Sequence, residues 1–134
     1  LAHPKGFELM PHTLEAARKH AADQGTKFEV VDDMDAAFED ADVCYAKSWG
    51  PIMVTEEPAA VQAMCDEHKG WICDERRMGL AKKTATYMHC MPIDRGYEAT
   101  DGVIDGPQSV IYQEAENRLH IQKALMALTM GGRI

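Results

Sequence analysis

Thr84-Ala85-Thr86-Tyr87-Met88-His89-Cys90-Met91-Pro92 is the stretch on which the fold of this chain turns. Its β-branched and aromatic content predicts a strand over Thr84–Cys90, ended at Pro92 because proline brings no N–H to a sheet ladder. Outward on both sides the pattern becomes helical. Asp74 to Lys82 predicts a helix with Asp74 and Glu75 in its first turn, where acids suit the helix dipole. Glu114 to Met130 predicts a closing helix, with Leu119, Lys123, Met126 and Met130 spaced at 4, 3 and 4 and Gly131-Gly132 as its stop. Farther upstream, Ala59 to Glu67 predicts another helix, preceded by a loop from Ser48 to Pro58. Val43–Ala46 predicts a short apolar strand. Asp32 and Asp33 are placed to cap a short helix through Phe38. Lys27–Val31 alternates as a strand does, and Pro11 to Ala22 predicts a helix closed at Gly25. Leu1-Ala2-His3-Pro4 reads as the end of a strand entering a loop. With no initiator Met, the sequence is expected to be a piece of a longer protein.

Short strands alternating with helices form βαβ units. The expected class is therefore α/β, a Rossmann-like parallel sheet flanked by helices. In such open sheets ligands sit outside the carboxyl ends of the strands. With Ser109–Tyr112 as a last strand, those ends follow Ala46, Cys90 and Tyr112.

Composition narrows the function classes. The 134 residues hold 22 acidic and 14 basic side chains, a formal net charge of −8, which argues against a nucleic-acid partner. With 46% hydrophobic and 27% charged residues, the balance is that of a globular domain. No apolar run suggests a membrane span and no signal peptide opens the chain. A nucleotide-binding reading lacks the GxGxxG it needs. Cys44, Cys65, Cys73 and Cys90 make no CxxC and no disulfide framework, which fits reduced thiols in the cytoplasm. Cys65-x2-His68-x4-Cys73 falls short of paired zinc-ligand spacing, so no metal is expected.

Chemistry is sought at three strand ends. At His89-Cys90-Met91-Pro92 the simpler reading is a core strand halted by proline. Alternatively, a cis peptide at Pro92 turns successive carbonyls to one side, where they can hold an amide NH2. In Tyr45-Ala46-Lys47-Ser48-Trp49-Gly50, Lys47 is either a solvated loop charge or a point charge for an anion in the crevice. In Glu114-Ala115-Glu116-Asn117-Arg118, Glu114 and Arg118 are spaced for an i,i+4 surface pair. Alternatively Arg118 faces the crevice and donates to a carbonyl or phosphate oxygen.

Taken together, HCMP and the downstream DGPQSVIYQEAENRLHIQKAL (Asp105–Leu125) resemble the second-domain signature of the carbamoyltransferases, HCLP followed by a D-[GS]-P and EAENRLH-x-QKA stretch. The likeness is dense from Val43 to Leu128 and looser before it. It implies the acceptor-binding domain of a two-domain enzyme, over residues 1–134, without the carbamoyl phosphate-binding domain. That domain's S-x-R-T-R motif is absent from the sequence. The resemblance further implies partners: carbamoyl phosphate, an ornithine-type acceptor and a homotrimeric assembly. It implies no cofactor. By the same likeness, Cys90 and Met91 would offer main-chain carbonyls to the carbamoyl NH2 and the incoming amine, and Arg118 would polarise the carbamoyl oxygen. Lys47 and Trp49 would contact the acceptor, with His89 and Pro92 shaping the turn.

The acceptor is read at Ala46-Lys47-Ser48-Trp49-Gly50-Pro51. Ornithine carbamoyltransferases resemble D-x-W-x-S-M-G here, and their aspartate takes an α-ammonium. A lysine in its place repels an ammonium and attracts a carboxylate, which suits an ornithine whose α-amine is acylated. YAKSWG and WICDERRMGLA (Trp71–Ala81) resemble the N-acetylornithine enzymes. Ile93-Asp94-Arg95-Gly96 departs from their HCLPLRRN and looks more like ornithine or putrescine enzymes. N-acetylornithine is thus the first expectation, with ornithine, N-succinylornithine, putrescine or a non-catalytic relative as alternatives.

Overall fold

A computed structural model describes residues 1–47, 50–51 and 53–131 of the chain. The element order is α1 (Pro11–Gln24), α2 (Met34–Phe38), β1 (Val43–Tyr45), α3 (Pro58–Glu67), α4 (Glu75–Met78), β2 (Thr86–Met88), α5 (Asp101–Ile104) and α6 (Ile111–Thr129). The class is α/β, a small parallel sheet flanked by helices, as the alternation predicts. β1 and β2 pair in parallel, with Val43 opposite Thr86, Cys44 opposite Tyr87 and Tyr45 opposite Met88.

Local chemistry explains most helix boundaries. Pro11 opens α1 at a position where no N–H is required, and Gly25 ends it in the left-handed conformation at φ 64°. The Asp33 carboxylate accepts the N–H groups of Asp35 and Ala36 to start α2, and Asp74 accepts that of Arg77 to start α4. The core lies where the helices meet the sheet. Tyr87, Ile104, Ile111, Cys73 and Ala99 are fully buried there, with Phe38, Cys44, Met78 and Val103 around them. All four cysteines are free thiols, and burial pushes Cys73 up to about 12.

Four expectations need correction. Ser109–Tyr112 is not a strand of its own. It touches β2 only as a parallel bridge at Ser109, where the Tyr87 N–H donates to the Gln108 carbonyl at 2.8 Å and the Val110 N–H to the Tyr87 carbonyl at 2.9 Å. Helix α6 then begins at Ile111, three residues before the expected Glu114. The β-branched run loses there because burying Ile111 under the sheet outweighs its local strand preference. Lys27–Val31 likewise contributes one bridge, Val31 to Ala2, with the His3 N–H donating to the Val31 carbonyl at 3.2 Å and the Val31 N–H to the Leu1 carbonyl at 3.0 Å. The Asp74–Lys82 helix lasts one turn, to Met78, and the expected seven-residue strand at Thr84 is three residues long. The one-turn helix α5 had no sequence signal strong enough to predict it.

Among the described residues no helix is long and apolar enough to cross a membrane. Nor do three or more His, Cys, Asp or Glu side chains come together there to hold a metal ion.

Candidate functional site

The parallel pairing brings the carboxyl ends of β1 and β2 side by side, and each continues directly into a residue singled out above: Lys47 two residues past β1, His89 immediately past β2. Beyond His89 the chain turns sharply. The Met91–Pro92 peptide is cis and Met91 takes a left-handed φ of 54°.

His89 holds that turn together. Its ring is fully buried, and Nδ1 accepts the Met91 N–H at 3.0 Å. A backbone N–H can only donate, so the ring proton sits on Nε2, which donates to Glu98 Oε1 at 3.1 Å. Glu98 is 3% exposed, and its other oxygen accepts the Asp94 N–H at 2.6 Å. One carboxylate thereby ties the residues after Pro92 back under the histidine. Lys47 approaches the same oxygen that His89 uses, Nζ to Oε1 at 3.6 Å. Its side chain is 48% exposed, with the ammonium beside Glu98 and open to solvent. A cavity of about 530 Å³ is lined by Lys47 and Glu98 together with Phe7, Met34, Phe38, Trp71 and the edge of β1. Cys90, Met91, Pro92 and Arg118 do not line it.

Helix α6 supplies the opposite wall. Arg118 Nη1 donates to the Cys90 carbonyl at 3.3 Å, a long hydrogen bond that a better partner can replace. Glu114, one turn earlier, does not pair with Arg118. Its Oε2 accepts the His89 N–H at 2.9 Å and its Oε1 accepts the Tyr45 hydroxyl at 3.1 Å. The Tyr45 and His89 rings lie nearly parallel, 17° apart with centroids at 6.3 Å. Burial, then the contacts with Cys90 and Glu114, push the Tyr45 hydroxyl well above the ordinary phenol range, so it stays a donor.

A cationic N–H donor and a carbonyl acceptor thus stand next to one another, Arg118 and Cys90. That pair matches the edge of a primary amide or carbamoyl group, whose oxygen accepts and whose NH2 donates. A cation, Lys47, is linked to the same turn through Glu98, which it approaches at 3.6 Å and which accepts from His89 and Asp94. The structure brings Lys47, His89, Cys90, Met91, Pro92 and Arg118 to the two strand ends, while Trp49 lies outside the described residues. Sequence reasoning missed Glu98, Glu114 and Tyr45. Glu98 looks like a surface charge until the Asp94 turn folds it back onto His89. Glu114 enters the sequence reading only as one half of an alternative surface pair with Arg118. Only the aromatic at the end of β1 carried a visible signal, and it reads equally well as sheet packing. Asp94, the residue that departs from the N-acetylornithine pattern, is exposed, and its backbone builds the turn: its carbonyl accepts the N–H groups of Tyr97 and Glu98.

Comparison with known proteins bears on the family and the fold. Residues 1–129 match the family model described as aspartate/ornithine carbamoyltransferase, Asp/Orn binding domain. The chain is 42% identical over 121 residues to an N-acetylornithine carbamoyltransferase of Xylella fastidiosa, covering 90% of this chain and 36% of the relative. It is 38% identical over 134 residues to an ornithine carbamoyltransferase of Caldicellulosiruptor saccharolyticus, covering 100% of this chain and 42% of the relative. A crystal structure of acetylornithine transcarbamylase complexed with acetylcitrulline superposes with a TM-score of 0.87 at 37% identity, over 94% of this chain and 38% of that one. The chain therefore spans roughly two fifths of the length of these relatives. It belongs to the aspartate/ornithine carbamoyltransferase family, as an Asp/Orn binding domain.

Proposed function

We propose that this chain is the acceptor-binding domain of an enzyme that transfers the carbamoyl group of carbamoyl phosphate to the δ-amine of N-acetylornithine. In this reading the uncharged amine attacks the carbonyl carbon, the C–O bond to phosphorus breaks, phosphate leaves with the electron pair, and the amine gives up a proton. Arg118 would leave the Cys90 carbonyl for the carbamoyl oxygen as negative charge builds there, an oxyanion-type stabilisation. The Cys90 and Met91 carbonyls would take the carbamoyl NH2 and the attacking amine, holding the two reactants in line. Cys90 is not a nucleophile in this scheme, and His89 and Pro92 shape the turn that presents the carbonyls. Lys47, with Trp49 beside it in sequence, would hold the acceptor's α-carboxylate. The carbamoyl phosphate domain would come from outside residues 1–134, and the 134-residue chain alone would not catalyse transfer. The working enzyme would be a cytoplasmic homotrimer.

The observation that carries the acceptor assignment is Lys47: a half-exposed cation 3.6 Å from Glu98, at the position where ornithine enzymes resemble an aspartate. Several structures similar to this chain are of N-acetyl-L-ornithine transcarbamylase, one of them a mutant complexed with carbamyl phosphate and N-succinyl-L-norvaline, which lends support. A second reading, with free ornithine as acceptor, is favoured by a Burkholderia cenocepacia ornithine carbamoyltransferase that is 46% identical over 113 residues. Assaying the whole enzyme with carbamoyl phosphate and, in parallel, N-acetylornithine, ornithine, N-succinylornithine and putrescine decides between them. N-acetylcitrulline is the expected main product. Citrulline as the sole product would reverse the assignment, and no carbamoylated amine at all would reverse the enzymatic reading.

A further inference from the structure

Glu114 and Arg118 are one turn apart on α6, the spacing at which a glutamate and a following basic residue pair most readily on a helix. They do not pair here. Both oxygens of Glu114 are occupied elsewhere, Oε1 by the Tyr45 hydroxyl at 3.1 Å and Oε2 by the His89 N–H at 2.9 Å. Arg118 is left to donate to the Cys90 carbonyl. From this arrangement we infer that Tyr45 is a positioning residue: by engaging Glu114 it keeps that carboxylate from capturing Arg118, and so holds the guanidinium at the carbonyl turn. The inference rests on the role proposed above for Arg118 and names the residue that makes the role possible.

The physical argument is one of competition. Tyr45 closes β1, and its ring lies along the His89 ring, which limits where its hydroxyl can point. Removing that hydroxyl leaves Oε1 a charged acceptor with its donor gone, and the cation one helical turn away that can supply one is Arg118. An ion pair to a carboxylate is stronger than a long bond to a neutral carbonyl, so the guanidinium shifts toward Glu114. The His89 N–H stays on Oε2 and the ring packing is unchanged. Apart from the hydroxyl's own contact with the Cys90 side chain, the defect is confined to where Arg118 stands.

Tyr45→Phe tests this in the whole enzyme carrying the chain, because it removes the hydroxyl and keeps the ring. The expected result is a fall in kcat of about fivefold, the scale of a partly exposed ion pair, with KM for the acceptor unchanged within about twofold. Adding Glu114→Gln to Tyr45→Phe removes the competing charge and should restore most of the lost kcat, a rescue that a purely packing role for Tyr45 would not give. A crystal structure of Tyr45→Phe should place Arg118 on Glu114 and off the Cys90 carbonyl, a readout that does not depend on turnover. An unchanged kcat, a double variant no faster than the single one, or Arg118 still on Cys90 in the variant crystal each overturns the inference. A wild-type enzyme that carbamoylates no amine, with Arg118 nonetheless displaced in the variant, overturns the proposed function and leaves this arrangement standing.

Discussion

Glu98 is a carboxylate at 3% exposure, surrounded by the His89 ring, the Asp94 N–H and the Lys47 ammonium. A buried charge persists only where donors replace the water it has lost; the His89 ring N–H and the Asp94 N–H do so, and the Lys47 ammonium adds a counter-charge at 3.6 Å. Because Nδ1 of His89 is committed to Met91, Nε2–H has one direction to point, and Glu98 sits there. Replacing Glu98 by Gln keeps an acceptor for the ring but removes the charge that Lys47 and the Asp94 N–H share. The expected cost is about 2 kcal/mol, on the scale of hydrogen bonds to charged groups, measured by urea unfolding. An unchanged unfolding midpoint would mean that the carboxylate is not what ties the turn. How much of this was legible depends on the residue. His89 as the turn's organiser and Lys47 as a crevice cation can be read from their positions at strand ends. Glu98 could not, because eight residues separate it from its partner and nothing in Arg95-Gly96-Tyr97-Glu98 marks the last residue as buried.

At the level of elements, α6 positions the site by its first turn. Ile111 is fully buried under β2, while Leu119, Ile121 and Leu125 farther along the helix are more than half exposed. Truncating Ile111 to Ala should cost about 3 kcal/mol of stability by chemical denaturation, within the range for a large core aliphatic. It should also loosen Glu114 and Arg118, since nothing else in that turn is buried. A loss under 1 kcal/mol, the scale of a surface change, would show that the helix is anchored elsewhere. The strand reading of Ser109–Tyr112 failed at this scale for a physical reason. Three extended residues along β2 suffice for a bridge, and burial of Ile111 then favours the helix. Helix starts, by contrast, were readable from Pro11, Asp33 and Asp74, because a cap is local chemistry.

A second tie between elements is Asp35 on α2, gripped by Arg76 at 2.6 and 2.8 Å and by Arg77 Nε at 2.8 Å on α4. Hydrogen bonds from Arg76, then Arg77, hold its carboxyl well below the usual carboxylate range. A group whose pKa is depressed by folding stabilises the fold fully above its unfolded value, near 3.8, and loses that contribution as pH falls toward the depressed one. The difference in melting temperature between wild type and Asp35→Asn should accordingly be constant from about pH 5 to 7 and shrink below about pH 4. A difference that persists undiminished in acid would contradict an electrostatic origin.

Across the whole molecule, the parallel sheet brings three sequence-distant segments to one edge: Tyr45 to Lys47, His89 to Pro92 and Glu114 to Arg118. In the proposed function the donor-acceptor pair of Arg118 and Cys90 would meet the carbamoyl group, and Lys47 would meet the acceptor's anionic end. Strand-helix alternation was enough to predict that these segments converge, whereas which side chain meets which depended on loop paths that no periodicity encodes. The account as a whole depends on the charge of Lys47. The most direct test compares kcat/KM for N-acetylornithine and for ornithine in the whole enzyme before and after Lys47→Ala. A preference for N-acetylornithine that falls by about 100-fold, mostly through KM as expected for a lost charged contact, is the predicted result. A wild-type preference for ornithine, or a Lys47→Ala enzyme with its N-acetylornithine KM intact, would contradict it.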